Sequence, residues 1–427
     1  MNGVKQNEIV NYITSETDQE YEINLVWHIP VTTCKCMFYY INNLTEIDLS
    51  NFDASKVTSI YNMFYRCPSL TSINLSNLNT PILTMVSLIF DGKPNVKVMN
   101  LSNSRINPTP FLLYSLVSLD LSYLNVQNIS SISTWFKGMP NLKIVNISNS
   151  NFESILTMEE LFYEFKNLSL VDLSNINAPN VISLKSLFSG CVSLKSVNLS
   201  YSNFKSVTTM EDMFKGCRSL SSINLVNLDF PNLISVKNMF RLCTSIESID
   251  FSSFIISKVE DFSYMFDGCY KLSEIKFSNF HDGINTTMES MFKNCWNIKI
   301  IDLLPLNIQN LANMDSMFYG CYSLEVIKFS NLKTDKVKTM KKMFGECFNL
   351  KNIDLSYFNT SKVENMNSMF YNCISLTSIN LSNLNLESIV TMESMFSSCS
   401  SFVSLDLSNL NLKSIVSMGD IFGNCII

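Results

Sequence analysis

The stretch Thr209-Met-Glu-Asp-Met-Phe-Lys-Gly-Cys-Arg-Ser-Leu-Ser-Ser-Ile-Asn-Leu225 carries the pattern on which the rest of the chain is built. Its second half alternates apolar and polar residues from Leu220 through Ile223 to Leu225, as Leu70-Thr-Ser-Ile73-Asn-Leu75 does earlier. Period two is the signature of a strand with one buried face. In the first half, Met210, Met213, Phe214 and Cys217 stand at i, i+3, i+4 and i+7, a spacing that predicts a short helix with all four on one face. Thr209 precedes them and is of the residue type that caps a helix's first turn.

Outward from this stretch the pattern repeats every 26 residues. The strand reference residue recurs at Asp48, Asn74 and Asn100 and, after one short repeat of 20, at Asp120, Asn146, Asp172, Asn198 and Asn224. It continues at Asp250, Lys276, Asp302, Lys328, Asp354, Asn380 and Asp406, fifteen rungs in all. Eleven residues past it the chain returns to a Ser, Thr, Asp or Asn, as at Ser59, Ser131, Thr157, Ser235 and Asp261; Met85 breaks the series. A period of this length means a solenoid, because one strand-turn-helix unit cannot bury its apolar face until neighbours stack on it. The expected fold is therefore an α/β solenoid of about fifteen rungs, with parallel strands on a concave face and short helices on a convex one.

The unit Met-Phe-x-x-Cys-x-Ser-Leu-x-x-Ile-x-Leu-Ser, read at Met213 to Val226 with Val in the last place, resembles the BspA-type leucine-rich repeat over residues 37 to 425. That resemblance implies a curved solenoid displayed at the cell surface or secreted, in adhesion to host or matrix proteins. Met1 to Glu22 is polar and lacks the apolar core of a secretion leader, which favours the alternative of a cytoplasmic scaffold.

The expected division is residues 1–36 as an N-terminal cap and 37–427 as the solenoid, with no linker between rungs. Tyr21, Ile23, Leu25 and Trp27 alternate with polar residues and predict a capping strand or hairpin. Pro108 and Pro110 in the short repeat near 100–120 predict an irregular turn without a helix. The last rung near Ile427 reads either as the cut end of a fragment or as an edge open to self-association.

Composition narrows the function. Hydrophobic residues make up 46% and charged ones only 16%, so Ser and Asn cover the surface. A net charge of −6 argues against a nucleic-acid partner, which needs clustered Lys and Arg. No apolar run is long enough to span a membrane as a helix. Ten cysteines from Cys191 to Cys425 recur at the repeat spacing, but the same place holds Met139 and Phe165, which can pack and can neither ligate nor bridge. A buried thiol ladder is expected, with no metal site and no cofactor; Cys34-Lys-Cys36 reads as strand alternation. With His28 and His281 the only histidines, the Ser column that follows the strands has no base and no catalytic residue is expected. Ten N-x-Ser/Thr sequons arise mostly from the repeat's own Asn-Leu-Ser.

The outward reference position holds seven Asp, six Asn and two Lys. Asp250, Lys276, Asp302, Lys328 and Asp354 alternate in sign over five rungs and are the candidate contacts for a protein ligand on the concave face. The same alternation also relieves the repulsion of stacked like charges.

Overall fold

The computed structural model describes residues 8–16, 19–27, 30–78, 89, 95–104, 113–126, 128–256, 258–278, 280, 282–329, 332–381, 384–403 and 410–425. The short repeat's Pro108 and Pro110, Met85, both histidines and Ile427 lie outside these residues. The chain forms two compact units, Met1–Val181 with Ser196–Phe204, and Ile182–Lys195 with Lys205–Ile427.

The first unit opens on an antiparallel hairpin, β1 (Glu8–Glu16) and β2 (Gln19–Trp27). It covers the first rung: β1 pairs antiparallel with β3 (Leu44–Asp48). From there the sheet runs parallel through β4 (Ser72–Asn74), β5 (Val98–Asn100), β6 (Ser118–Asp120), β7 (Ile144–Asn146), β8 (Leu170–Asp172) and β9 (Ser196–Asn198). The middle residue of each strand faces inward: Ile73, Met99, Leu119, Val145 and Val171 are buried. The short repeat keeps register, with Asn100 opposite Asp120.

The second unit carries β10 (Ser222–Asn224), β11 (Leu228–Phe230), β12 (Ser248–Asp250), β13 (Phe254–Ile256), β14 (Val259–Asp261), β15 (Glu274–Lys276), β16 (Asp282–Thr287), β17 (Ile300–Asp302), β18 (Leu311–Asn313) and β19 (Val326–Lys328). Parallel pairs form between β12 and β15, between β17 and β19, between β11 and β13, and along β14, β16 and β18. Strands form at twelve of the fifteen expected reference positions, from Asp48 to Lys328. Asp354 and Asn380 carry none, and Asp406 is outside the described residues. Nothing local explains Asn380, since Ser378-Ile-Asn380 repeats Ser72-Ile-Asn74.

The expected convex helices are absent: the described residues contain no α-helix, and the rungs whose turn side is described pass it through two successive β-turns. In the rung of Met210 the Met213 amide donates to the Met210 carbonyl at 3.2 Å and the Cys217 amide to the Phe214 carbonyl at 3.0 Å. The third residue of each turn is left-handed, Asp212 at φ 56° and Gly216 at φ 74°, as in type II turns. A helix would have kept its amides within the rung. Here Met210, Asp212, Phe214 and Gly216 donate theirs instead to the carbonyls of Ser235, Lys237, Met239 and Arg241 on the next rung. Thr209, read as a helix cap, accepts the Glu211 amide at 3.2 Å and bridges to Ser183 and Ser235 in a second β-ladder. Far-UV circular dichroism should accordingly show a β-and-turn spectrum without the helical double minimum; a clear helical signal would refute the turn assignment.

The inward face is as the spacing demands, because two turns of this kind also bring residues i, i+3, i+4 and i+7 to one side. Met213, Phe214, Cys217 and their equivalents from Cys191 to Cys399 are buried, while Phe165, Phe422 and Cys425 in the same columns are half-buried. In the second unit the Phe rings stack rung on rung, from Phe188 on Phe214 at 5.3 Å to Phe370 on Phe396 at 5.6 Å. The thiols have a bonding role. The Cys243 Sγ donates to the Phe214 carbonyl at 3.1 Å, and Cys269, Cys321, Cys373 and Cys399 repeat the bond to Phe240, Phe292, Phe344 and Phe370. Each such Phe carbonyl accepts twice, from its own rung's Cys amide and from the next rung's thiol, so this buried acceptor is saturated. No cysteine is in a disulfide.

Candidate binding surface

The parallel register sets the strand reference residues in a column, and the turn after each strand fixes how they point. Asp250 Oδ1 accepts the Ser252 amide at 2.8 Å, and Asp354 Oδ1 accepts that of Ser356 at 2.9 Å. The same bond runs from Ser50 to Asp48, from Ser76 to Asn74 and from Ser174 to Asp172. Asp and Asn are preferred here because their short side chains close a turn on the backbone two residues on. The acceptor needs only an amide, so Val226 and Leu304, which interrupt the Ser column, bond equally well to Asn224 and Asp302.

The five sequence-predicted contacts resolve into two pairs and a single residue. Lys276 Nζ lies 3.9 Å from Asp250 Oδ2 and 3.6 Å from Glu274 Oε1. Lys328 Nζ lies 3.2 Å from Asp302 Oδ2. Asp354 makes no ion pair among the described residues. Each Lys thus neutralises the Asp one rung before it, and the column's alternating sign has this local cause. The Ser252 hydroxyl and amide, with a smaller contribution from Lys276, hold the Asp250 carboxyl below the usual carboxylate range; Ser356 does the same to Asp354. Both are ionised at neutral pH and suited to salt bridging, not to proton transfer. Replacing Lys328 with Ala should shift stability by less than about 1 kcal/mol, because the pair is solvated. A urea midpoint shift worth more than about 2 kcal/mol would make the column structural.

Between the charges lies a feature that the charge pattern does not announce. Two residues before the reference position the strand faces outward again, and several rungs place an aliphatic there: Val98, Ile144 and Leu170 in the first unit, Ile300 and Val326 in the second. Ile300 is 55% exposed and Val326 45%, while Ile301 behind Ile300 is buried. The sequence signal was the apolar doublet, Ile300-Ile301 or Ile144-Val145, of which a strand can bury only one member.

Comparison places the repeat among known sequences. The family described as "Mycoplasma protein of unknown function, DUF285" matches at residues 14–107, 111–223, 182–285 and 286–404. The chain belongs to that family. The DUF285 matches cover the hairpin's second strand and nearly every rung. No curated protein matches this chain. Among solved structures, the TLR13–ssRNA13 complex is similar at 19% identity and TM-score 0.42, over 83% of this chain and 49% of that one. The Toll–Spatzle complex of Drosophila follows at 14% and 0.34, over 78% and 49%. A leucine-rich-repeat protein of Leptospira interrogans is similar at 13% and 0.26, over 72% and 83%. The chain thus spans about half the length of the first two. Among the described residues no helix is long and apolar enough to cross a membrane.

Proposed function

We propose that this chain is a non-enzymatic binding protein that holds a protein ligand on the open strand face of its rungs, displayed at the cell surface or secreted in the manner of BspA-type proteins. Ile300 and Val326 carry the reading. They are aliphatics left in solvent on a rigid strand face, bracketed by Asp302, Lys328 and Glu274, which is the apolar-centre, polar-rim composition of a recognition patch. A host or matrix protein is the ligand that the BspA resemblance favours.

A photo-cross-linking residue at position 300, in the chain expressed in its own cells, should capture a discrete partner. The yield should fall at least about tenfold when Val326→Asp is added. Capture no greater than from position 342, exposed on the turn side of the rung that carries Val326, would end the strand-face reading. Reduced thiols at Cys217, Cys243 and the cysteines that follow them would favour a second reading, an intracellular scaffold, because thiols persist in reducing compartments. Protease shaving of intact cells separates the two: loss of the protein places it outside, and protection until permeabilisation supports the scaffold.

A further inference from the structure

A second surface stands on the turn side of the first unit's opening rungs. Tyr39, Tyr40 and Tyr61 are 46%, 48% and 41% exposed. Tyr39 stacks on Tyr65 with ring centroids 5.1 Å apart and leans against Tyr40 at 5.3 Å. The Arg66 guanidinium lies over the rings of Tyr40 and Tyr65 at 5.2 and 5.3 Å and donates to the Tyr40 hydroxyl. Lys35 Nζ lies 5.9 Å from the Tyr61 ring. Residues 30–43 and 58–69, which build this corner, contain no Asp or Glu. Among the described residues neither cation has an ion pair.

Packing does not explain this cluster. Tyr40 and Arg66 occupy the left-handed place of the second turn, at φ 64° and 54°. Later rungs give that place to glycine at Gly190, Gly216, Gly268 and Gly320 and to other residues at Glu164, Leu242, Asn294, Glu346, Asn372, Ser398 and Asn424, none of which builds an aromatic and cationic cluster like this one. An arginine already oriented by two aromatic faces gives up little conformational freedom when it engages a carboxylate with both arms of its fork.

We propose that Lys35, Tyr39, Tyr40, Tyr61, Tyr65 and Arg66 form a docking patch for an acidic polypeptide segment, with its carboxylates on Arg66 and Lys35 and its apolar groups on the tyrosine rings. Charge complementarity selects the ligand: two unpaired cations stand in a corner without acids on a chain of net charge −6. The same net charge opposes a nucleic acid, whose binding rests on many phosphate contacts, and two cations supply few. Tyr and Arg are also the residues that dominate protein-protein hot spots. This surface is separate from the strand face, and each proposal can fail without the other.

The test is fluorescence anisotropy on the full chain with a labelled peptide of alternating Glu and Phe, its Gln-for-Glu counterpart, and a single-stranded oligonucleotide as competitor. The acidic peptide should bind at least about tenfold more tightly than the Gln peptide, and the oligonucleotide should not displace it. The double variant Tyr40→Gly, Arg66→Gly should lose about tenfold in affinity while melting no lower than the wild type, since glycine suits both backbones. Arg66→Gln, a surface change, should repeat most of the loss at the native melting temperature. Equal binding of the two peptides, wild-type affinity in either variant, or displacement by the oligonucleotide would overturn the proposal.

Discussion

Phe292→Asp is expected to melt the rungs around it under conditions where the wild type stays folded. Phe292 is completely buried, stacked between Phe266 at 5.5 Å and Phe318 at 5.7 Å, with the edge of Phe277 beside it at 6.4 Å. Truncating such a ring costs about 3–5 kcal/mol through lost contacts and the cavity left behind. A carboxylate in its place adds the cost of an unpaired buried charge, or of the proton it must take up to avoid one. Whole domains are stable by only about 5–15 kcal/mol, so the sum approaches the total. A rung contacts only its neighbours, and the damage should therefore begin locally. Hydrogen exchange should rise first in the rungs of Phe266, Phe292 and Phe318, ahead of a cooperative loss by urea. A variant with the wild-type urea midpoint would mean that the inward face has been misassigned.

Alkaline pH should destabilise the second unit far more steeply than its surface charges can account for. Burial, with smaller contributions from neighbouring thiols, pushes Cys217, Cys243, Cys295, Cys347 and Cys373 well above the ordinary thiol value of 9.0. Burial likewise takes Cys321 and Cys399 up to about 12. In the unfolded chain the same thiols ionise near 9, so between 9 and 12 the folded chain holds protons that the unfolded chain has released. The stabilisation is thus intact below pH 9 and is lost as the pH climbs through that window. Each thiol contributes at most about 1.4 kcal/mol per pH unit, and several act together. Urea midpoints at a series of pH values measure the slope, and the triple variant Cys295→Ala, Cys321→Ala, Cys347→Ala should flatten it. An unchanged slope in that variant would assign the effect to Tyr and Lys. A thiol reagent at pH 8 should label Cys36 and Cys425, which are only half-buried, well before the column.

The register and the core were legible because both follow from periodicity. The alternation at Leu70 to Leu75 placed Ile73 inward, and the columns of Met213, Phe214 and Cys217 are buried. The convex side was misread for a physical reason: the spacing i, i+3, i+4, i+7 belongs to an amphipathic helix and equally to two consecutive four-residue turns. The discriminating residues were Gly190, Gly216, Gly268 and Gly320, which fall one place before Cys191, Cys217, Cys269 and Cys321. A glycine there weakens a helix, whereas a turn that goes left-handed at that place favours one. The candidate contacts were found as residues, but their pairing was not, since charge reach depends on which rung's Asp each Lys faces. The tyrosine and arginine corner was invisible to repeat logic because it departs from the repeat.

The turn-side amides have an electrical consequence. In the second unit, rung after rung from Leu184 to Ser398, they donate toward the higher-numbered neighbour. Their peptide dipoles align along the stacking direction, as those of an α-helix align along its axis, but with the opposite sense relative to the chain. The positive pole of this array lies toward the higher-numbered rungs, where a helix of the same chain direction would place its negative pole. The turn side of the second unit, without an α-helix among its described residues, thereby carries a dipole array of reversed polarity, offset in part by amides such as Ile234, Glu260 and Val390 that donate toward the lower-numbered rung.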